Sequence, residues 1–197
     1  MKKLIKKGSL LFVGGSLFLT SVCQALISGP YLGLQLGYGT INYGLSDIPS
    51  SQGSIQDGGF AGRVYGGYQI SKYWATELGY EQFSSVSFNN VTSQDVSGTS
   101  KVSAFDWVGK FIYPLGESDF SLSAKAGGAY TVNKISGSVS QASSLSSTNV
   151  LQFTYGVGLN YSITPWVVTD LTWTIIQNTS SMPSSNLYTL GLSYFFG

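Results

Sequence analysis

Histidine is absent from the 197 residues, cysteine occurs once, and charged residues make up only 10% of the chain. Without histidine the chain lacks the side chain that most often serves as a general base or orients a nucleophile. The lone Cys23 lies near the amino terminus, so a chain cut after Ala25 has no disulfide, thiolate metal site or thiol nucleophile. The two absences together argue against a transition-metal site, and no cofactor is expected. Long apolar runs are missing as well: nothing beyond residue 25 approaches the ~20 apolar residues that a membrane-spanning helix needs. A soluble domain ordinarily carries about 25% charged residues. This composition suits neither class.

The amino terminus follows its own logic. Lys2, Lys3, Lys6 and Lys7 form a basic start, Leu10 to Val22 a short apolar run, and Cys23-Gln24-Ala25 place small residues where a signal peptidase cuts. Residues 1–25 therefore read as a signal peptide and residues 26–197 as one mature domain. Val22 is too large to precede a lipid-modified Cys23, which disfavours a lipoprotein. Removal of the leader takes four of the ten basic residues and leaves six against nine acidic ones. No basic surface remains to suggest nucleic acid.

What the mature chain does have is glycine, 25 in the whole sequence, 14% aromatic residues, and a recurrent alternation with period two. Leu32, Leu34, Leu36 and Tyr38 alternate with Gly33, Gln35, Gly37 and Gly39; Phe60, Val64, Tyr68 and Ile70 oppose Ala61, Arg63, Gly67 and Gln69. Thr76, Leu78 and Tyr80 oppose Glu77, Gly79 and Glu81, and Phe105, Trp107, Phe111 and Tyr113 oppose Asp106, Val108, Lys110 and Ile112. Four further segments, starting near Phe120, Leu151, Val167 and Tyr188, repeat the scheme. Segments of about ten residues match a tilted strand crossing a bilayer, and alternate apolar positions never produce a hydropathy peak.

The connections alternate long and short. Residues 44–57, 84–100, 133–149 and 177–186 are long and rich in Ser, Asn and Gln, whereas Ser71 to Tyr73, Pro114 to Asp119 and Thr164-Pro165 are short. Long outer loops and short periplasmic turns are the pattern of outer-membrane barrels. Charges share a face with glycine and serine, while aromatics share the other face. A soluble barrel would put apolar residues inside, so the charged face must be the interior. Aromatic residues also cluster towards both strand ends, as rings do at the two membrane interfaces. The expected fold is all-β: an eight-stranded antiparallel up-and-down transmembrane β-barrel in the bacterial outer membrane.

The residues resemble the transmembrane domain of the OmpA family. The similarity is carried by Gly66-Gly67-Tyr68-Gln69-Ile70 leading to Glu77-Leu78-Gly79-Tyr80, by Gly109-Lys110 with Tyr113-Pro114, by Tyr161-Ser162-Ile163-Thr164-Pro165, and by the ending Leu190 to Gly197. The peptidoglycan-binding domain of full-length members is not matched, so no wall-anchoring role is expected. Tyr188, Leu190, Leu192, Tyr194 and Phe196 resemble the terminal signal by which such barrels are recognised for assembly, with Gly197 as a departure at the end. The resemblance further implies that Glu77 and Lys110 belong to an interior salt-bridge gate, whose arginine and second glutamate are here Asp170 and Asn160.

Seven interior positions carry charge: Arg63, Glu77, Glu81, Asp106, Lys110, Lys125 and Asp170. With the second turn centred near Lys72, Arg63 and Glu81 are equidistant from it and should form a cross-strand ion pair. The simplest role for these charges is to neutralise one another in a plugged lumen. Glu77 and Glu81 point into a space too narrow for a polymer substrate, so no enzyme is expected. Two functions remain: a structural or weakly pore-forming protein, and a binding module whose loops contact a host surface. The implied partners are outer-membrane lipid and lipopolysaccharide, periplasmic chaperones and the barrel-assembly machinery, with the barrel a monomer.

Overall fold

The computed structural model describes residues 28–42, 54–55, 58–83, 86–89, 97–138, 148–180 and 182–196. The leader assigned to residues 1–25 and the terminal Gly197 lie outside them. Ten strands follow in order: β1 (Gly29–Asn42), β2 (Ser54–Ile55), β3 (Gly58–Gln69), β4 (Trp74–Gln82), β5 (Val86–Asn89), β6 (Ser97–Pro114), β7 (Phe120–Ser138), β8 (Thr148–Thr164), β9 (Val167–Ile176) and β10 (Ser184–Phe195). Each long strand pairs antiparallel with its sequence neighbour, and β1 pairs with β10 from Tyr31↔Phe195 to Asn42↔Ser184. That last ladder closes an eight-stranded up-and-down barrel. Closure leaves no open edge in the eight-stranded ring, a requirement in hydrocarbon because water cannot pair exposed backbone there.

The alternation read from the sequence is the alternation of faces. On β1, Leu32 and Leu34 are 57% and 52% exposed, while Gln35 between Leu34 and Leu36 is 3% exposed. The outward set also includes Val64, Leu78, Trp107, Val157, Leu171 and Leu190, each more than half exposed. So much apolar surface in water would aggregate; in a bilayer it is the solvent-matched wall. Rings pair along that wall at both ends: Tyr80 with Phe105 at 4.8 Å and Trp173 with Tyr188 at 6.0 Å towards the long connections, Phe120 with Tyr161 at 4.8 Å towards the short turns.

Each short turn has a local chemical cause. Ile70 and Ser71 both donate backbone N–H to Trp74 O, at 2.8 and 3.1 Å. Gly116 takes φ +65°, which a side chain would disfavour, and the Ser118 hydroxyl donates to Leu115 O at 2.6 Å. Thr164 Oγ1 accepts from the N–H of Trp166 and of Val167, so that turn sits at Pro165-Trp166 and Thr164 belongs to the strand.

The long connections are shorter than the sequence pattern implies. Strands β6 and β7 are 18 and 19 residues long and stay in register from Pro114↔Ser121 to Ser97↔Ser138. Residues 97–100, 133–138 and 148–149 are therefore strand, and β5 adds to β6 with β2 paired on β5. Beyond the outer aromatic row the outward face leaves the hydrocarbon, so the apolar alternation that reveals a strand disappears while the backbone pairing persists.

Candidate functional site

The lumen is built in three layers. At the end of the long connections Ile41, Ala61, Phe83, Val102, Ala104, Ala129, Ile176 and Leu187 pack into a buried apolar cluster. At the end of the short turns Tyr31, Tyr65, Ala75, Ile112 and Phe195 form a second one, with Tyr31 stacked on Phe195 at 4.6 Å. The charged residues lie between. The sequence reading put Val108 and Ile112 on the inward face among polar and small residues, but it did not foresee that apolar side chains gather into a plug at each end.

Arg63 is the hub of the middle layer. Its side chain projects inward from β3, where the register sets it opposite Glu81 of β4. Nη1 donates to Glu77 Oε2 at 2.8 Å, while Nε and Nη2 grip Asp106 Oδ2 and Oδ1 at 2.9 and 2.6 Å. The grip on Asp106 is the two-pronged geometry in which guanidinium and carboxylate match best. Glu81 is the looser partner: its Oε1 lies 3.5 Å from Arg63 Nε, and neither of its oxygens has a hydrogen bond within the described structure. Glu77 is saturated, because Oε1 also accepts from Lys110 Nζ at 3.1 Å and from the Tyr31 hydroxyl at 3.0 Å. The Arg63 guanidinium lies over the Tyr65 ring, 4.6 Å from its centroid, a cation–π contact.

Gly79 makes this packing possible. It stands between Glu77 and Glu81 and opposite Asp106, and a Cβ there would come within 2.6 Å of Asp106 Oδ2 and 2.7 Å of Arg63 Nε. The two interior tyrosines are seated the same way. Tyr65 lies over Gly33 and Tyr31 over Gly67, each ring filling the space of its cross-strand glycine. The sequence does carry this signal as two reciprocal Gly–Tyr pairs, but it is readable only once the β1–β3 register is known.

The seven charged positions do not form one cluster. Arg63, Glu77, Glu81, Asp106 and Lys110 make a connected network. Lys125 is buried directly opposite Lys110 on β7 and has no carboxylate within 4 Å among the described residues. Asp170 has no cation within 4 Å among the described residues; its Oδ2 accepts from Gln35 at 2.6 Å and from Thr172 at 2.7 Å, and its Oδ1 from Tyr65 at 3.5 Å. Asn160, opposite Asp170, bonds to Ser121 and Ser123. The pair implied by the family resemblance, Glu77 with Lys110, is thus in contact, while its other two positions, Asp170 and Asn160, are held by hydrogen bonds and not by an ion pair within 4 Å among the described residues.

An interior recess of about 30 Å³ is lined by Lys110, Asn160, Asp170, Tyr31 and Phe195 and has room for roughly one water. The larger recess, about 890 Å³, is on the outer wall and lined by lipid-facing residues such as Leu36, Tyr113, Leu122 and Leu171. It is remote from the charges and has almost no polar surface. No group of three or more His, Cys, Asp or Glu suited to a metal occurs among the described residues.

Comparison with known proteins matches this architecture. The chain is 23% identical over 174 residues to outer membrane protein A of Shigella flexneri, a match covering 85% of this chain and 48% of that protein. It spans about half the length of the curated relatives it matches. Among solved structures, OprG of Pseudomonas aeruginosa aligns with a TM-score of 0.59 at 12% identity, over 86% of this chain and 97% of that one. The attachment invasion locus protein Ail of Yersinia pestis, solved with the heparin analogue sucrose octasulfate, aligns with a TM-score of 0.53 at 17% identity, over 85% and 99% of the two chains. The model of the OmpA-like transmembrane domain matches residues 28–197. The chain therefore belongs to the OmpA-like transmembrane domain family and is an integral β-barrel protein of the bacterial outer membrane.

Proposed function

We propose that this protein is a non-enzymatic structural component of the outer membrane whose barrel is closed at rest and conducts only weakly. The observation that carries the reading is the filling of the lumen: an apolar plug at each end and an ion-paired layer between them. An eight-stranded barrel encloses little more than its own side chains. Catalysis would need a reactive group open to substrate, and the described carboxylates of the network are each 3% exposed or less. Planar-bilayer recording of the purified folded protein tests the reading. The expected trace is quiet with rare small openings, and a large, steady conductance would replace this reading with an open porin.

A second reading, display of a binding surface, has its own support. A strand crossing a bilayer needs about 9–11 residues. The 18 and 19 residues of β6 and β7, widened by β5 and β2, carry a stiff ribbon beyond the wall on the side of the long connections. Among proteins of similar fold, Ail is described as an attachment and invasion protein. Host-cell binding by bacteria displaying the intact barrel, against a variant shortened within residues 84–100, tests it. Equal binding by the two would remove this second reading.

A further inference from the structure

Charge is almost absent from the outer wall. Among the described strand residues, every charged side chain projects inward except Lys101 of β6 and Lys134 of β7, both exposed. The register sets these two directly opposite each other on the outer face. Like charges in that position destabilise a strand pair. Neither lysine has an ion-pair partner among the described residues, and the outward residues around them are Ser103, Val132, Gln82 and Asn149, none of them acidic. Asp47, Asp57 and Asp95 lie outside the described residues.

Their height on the wall is equally telling. The Phe105↔Tyr130 pair of the outer aromatic row lies four residues along each strand towards the short turns, or about 13 Å at the usual rise per residue. Strands of such barrels tilt by about 35–45°, so that distance is about 10 Å in height; aromatic belts mark the inner edge of the headgroups, and the lysines therefore emerge just above it, among the headgroups. A pair of ammonium groups that repel one another across a ladder, with amides and a hydroxyl around them and an aromatic row beneath, is suited to a bridging anion that carries acyl chains.

We propose that Lys101 and Lys134 form a binding site for a phosphorylated lipid headgroup of the outer leaflet, that is, for a phosphate of lipopolysaccharide. The phosphate lies between the two ammonium groups and relieves their repulsion, Gln82, Ser103 and Asn149 offer hydrogen bonds, and the acyl chains lie along Phe105, Trp107 and Tyr130. The site depends on the outer-membrane location of the barrel and is independent of whether the lumen conducts.

The test uses the folded protein in phosphatidylcholine vesicles containing graded amounts of lipopolysaccharide, reading the midpoint of heat unfolding from the gel shift of unboiled samples. A lysine at a membrane surface contributes about fivefold in affinity, so K101Q/K134Q should need roughly thirtyfold more lipopolysaccharide for the same rise in midpoint. K101R/K134R should keep the rise, and K72Q, at a turn on the opposite side, should behave as the wild type. Lipopolysaccharide stripped of its phosphates should act alike on wild type and double variant. In phosphatidylcholine alone K101Q/K134Q should be at least as stable as the wild type, because a repulsion has gone. Should the double variant fail to fold, K134Q alone should show about a fivefold loss. An undiminished lipopolysaccharide response in the glutamine variants overturns the site. Equal protection of the wild type by inorganic phosphate, without lipopolysaccharide, overturns the lipid assignment.

Discussion

Replacing Arg63 with methionine tests whether the interior network holds the barrel together or merely occupies it. Arg63 is 1% exposed, and its loss would leave Asp106 without either of its two short ion-pair bonds and Glu81 without its one ion-pair contact within 4 Å among the described residues. Glu77 would keep Lys110 and Tyr31. Breaking one partner out of a buried ion pair costs about 3–5 kcal/mol, because the remaining charge stays desolvated. Two carboxylates are orphaned here and a third is only weakened, so R63M should lose about 4–5 kcal/mol. The triple change R63M/E81Q/D106N removes the orphaned charges together with the cation. It should recover more than half of that loss, because neutral amides in the same volume no longer demand a cation. Reversible urea unfolding in lipid vesicles, followed by tryptophan fluorescence, measures both. A loss below about 1 kcal/mol for R63M, or no recovery in the triple variant, would refute the account of Arg63 as the charge-balancing hub.

Two further expectations concern the wall and its orientation. Leu171→Arg and Leu192→Arg place a cation on the lipid face, where both leucines are more than half exposed, and each should cost about 2–4 kcal/mol near the midplane; neutral effects in the same unfolding assay would invert the assignment of faces. With the short turns in the periplasm, S71C on intact cells should resist a membrane-impermeant thiol reagent while N178C, exposed between β9 and β10, reacts. Labelling of S71C alone would turn the barrel over, and the paired lysines with it.

The wall was legible because lipid enforces a rule that the sequence must spell out: every second residue of a spanning strand is apolar, as Leu32, Leu34 and Leu36 are. The Arg63–Glu81 register was legible for a similar reason, since a three-residue turn about Lys72 fixes which residues face each other. The interior obeys no such rule. Inward positions are filled by whatever volume their neighbours leave, so Tyr31, Tyr65 and Phe83 could be recognised as plugs only after the ladders showed which glycines face them, and Phe195 only after they set it against Tyr31. Lys125 stands on the strand beside Lys110 yet makes no ion pair within 4 Å among the described residues, and Asp170 shares the inward face from another sector of the barrel; position along one strand says nothing of distance across the lumen. The extension of β6 and β7 was hidden because Ser, Thr, Gly and Lys between residues 97 and 101 carry no apolar stripe, although their backbone is paired.

The layering of the lumen also decides which change would make it conduct. Barriers in series are governed by the highest, and lowering a smaller one leaves the flux almost unchanged. The Glu77–Lys110 contact is one barrier, but an ion that passed it would still meet the Tyr31–Phe195 stack on one side and the Phe83, Ile41 and Leu187 cluster on the other. Apolar constrictions of this kind exclude ions by excluding the water that must accompany them. Lys110→Ala alone should therefore leave single-channel conductance close to that of the exterior control Leu122→Ala. Phe83→Ala combined with Phe195→Ala opens a void in each plug and should raise conductance above both. Truncating a buried phenylalanine costs about 3–5 kcal/mol, so the pair is best recorded beside Phe83→Leu with Phe195→Leu, which keeps most of the volume and should stay closed. Frequent openings in Lys110→Ala with a silent double-alanine barrel would reverse the order of the barriers and make the ion pair the gate.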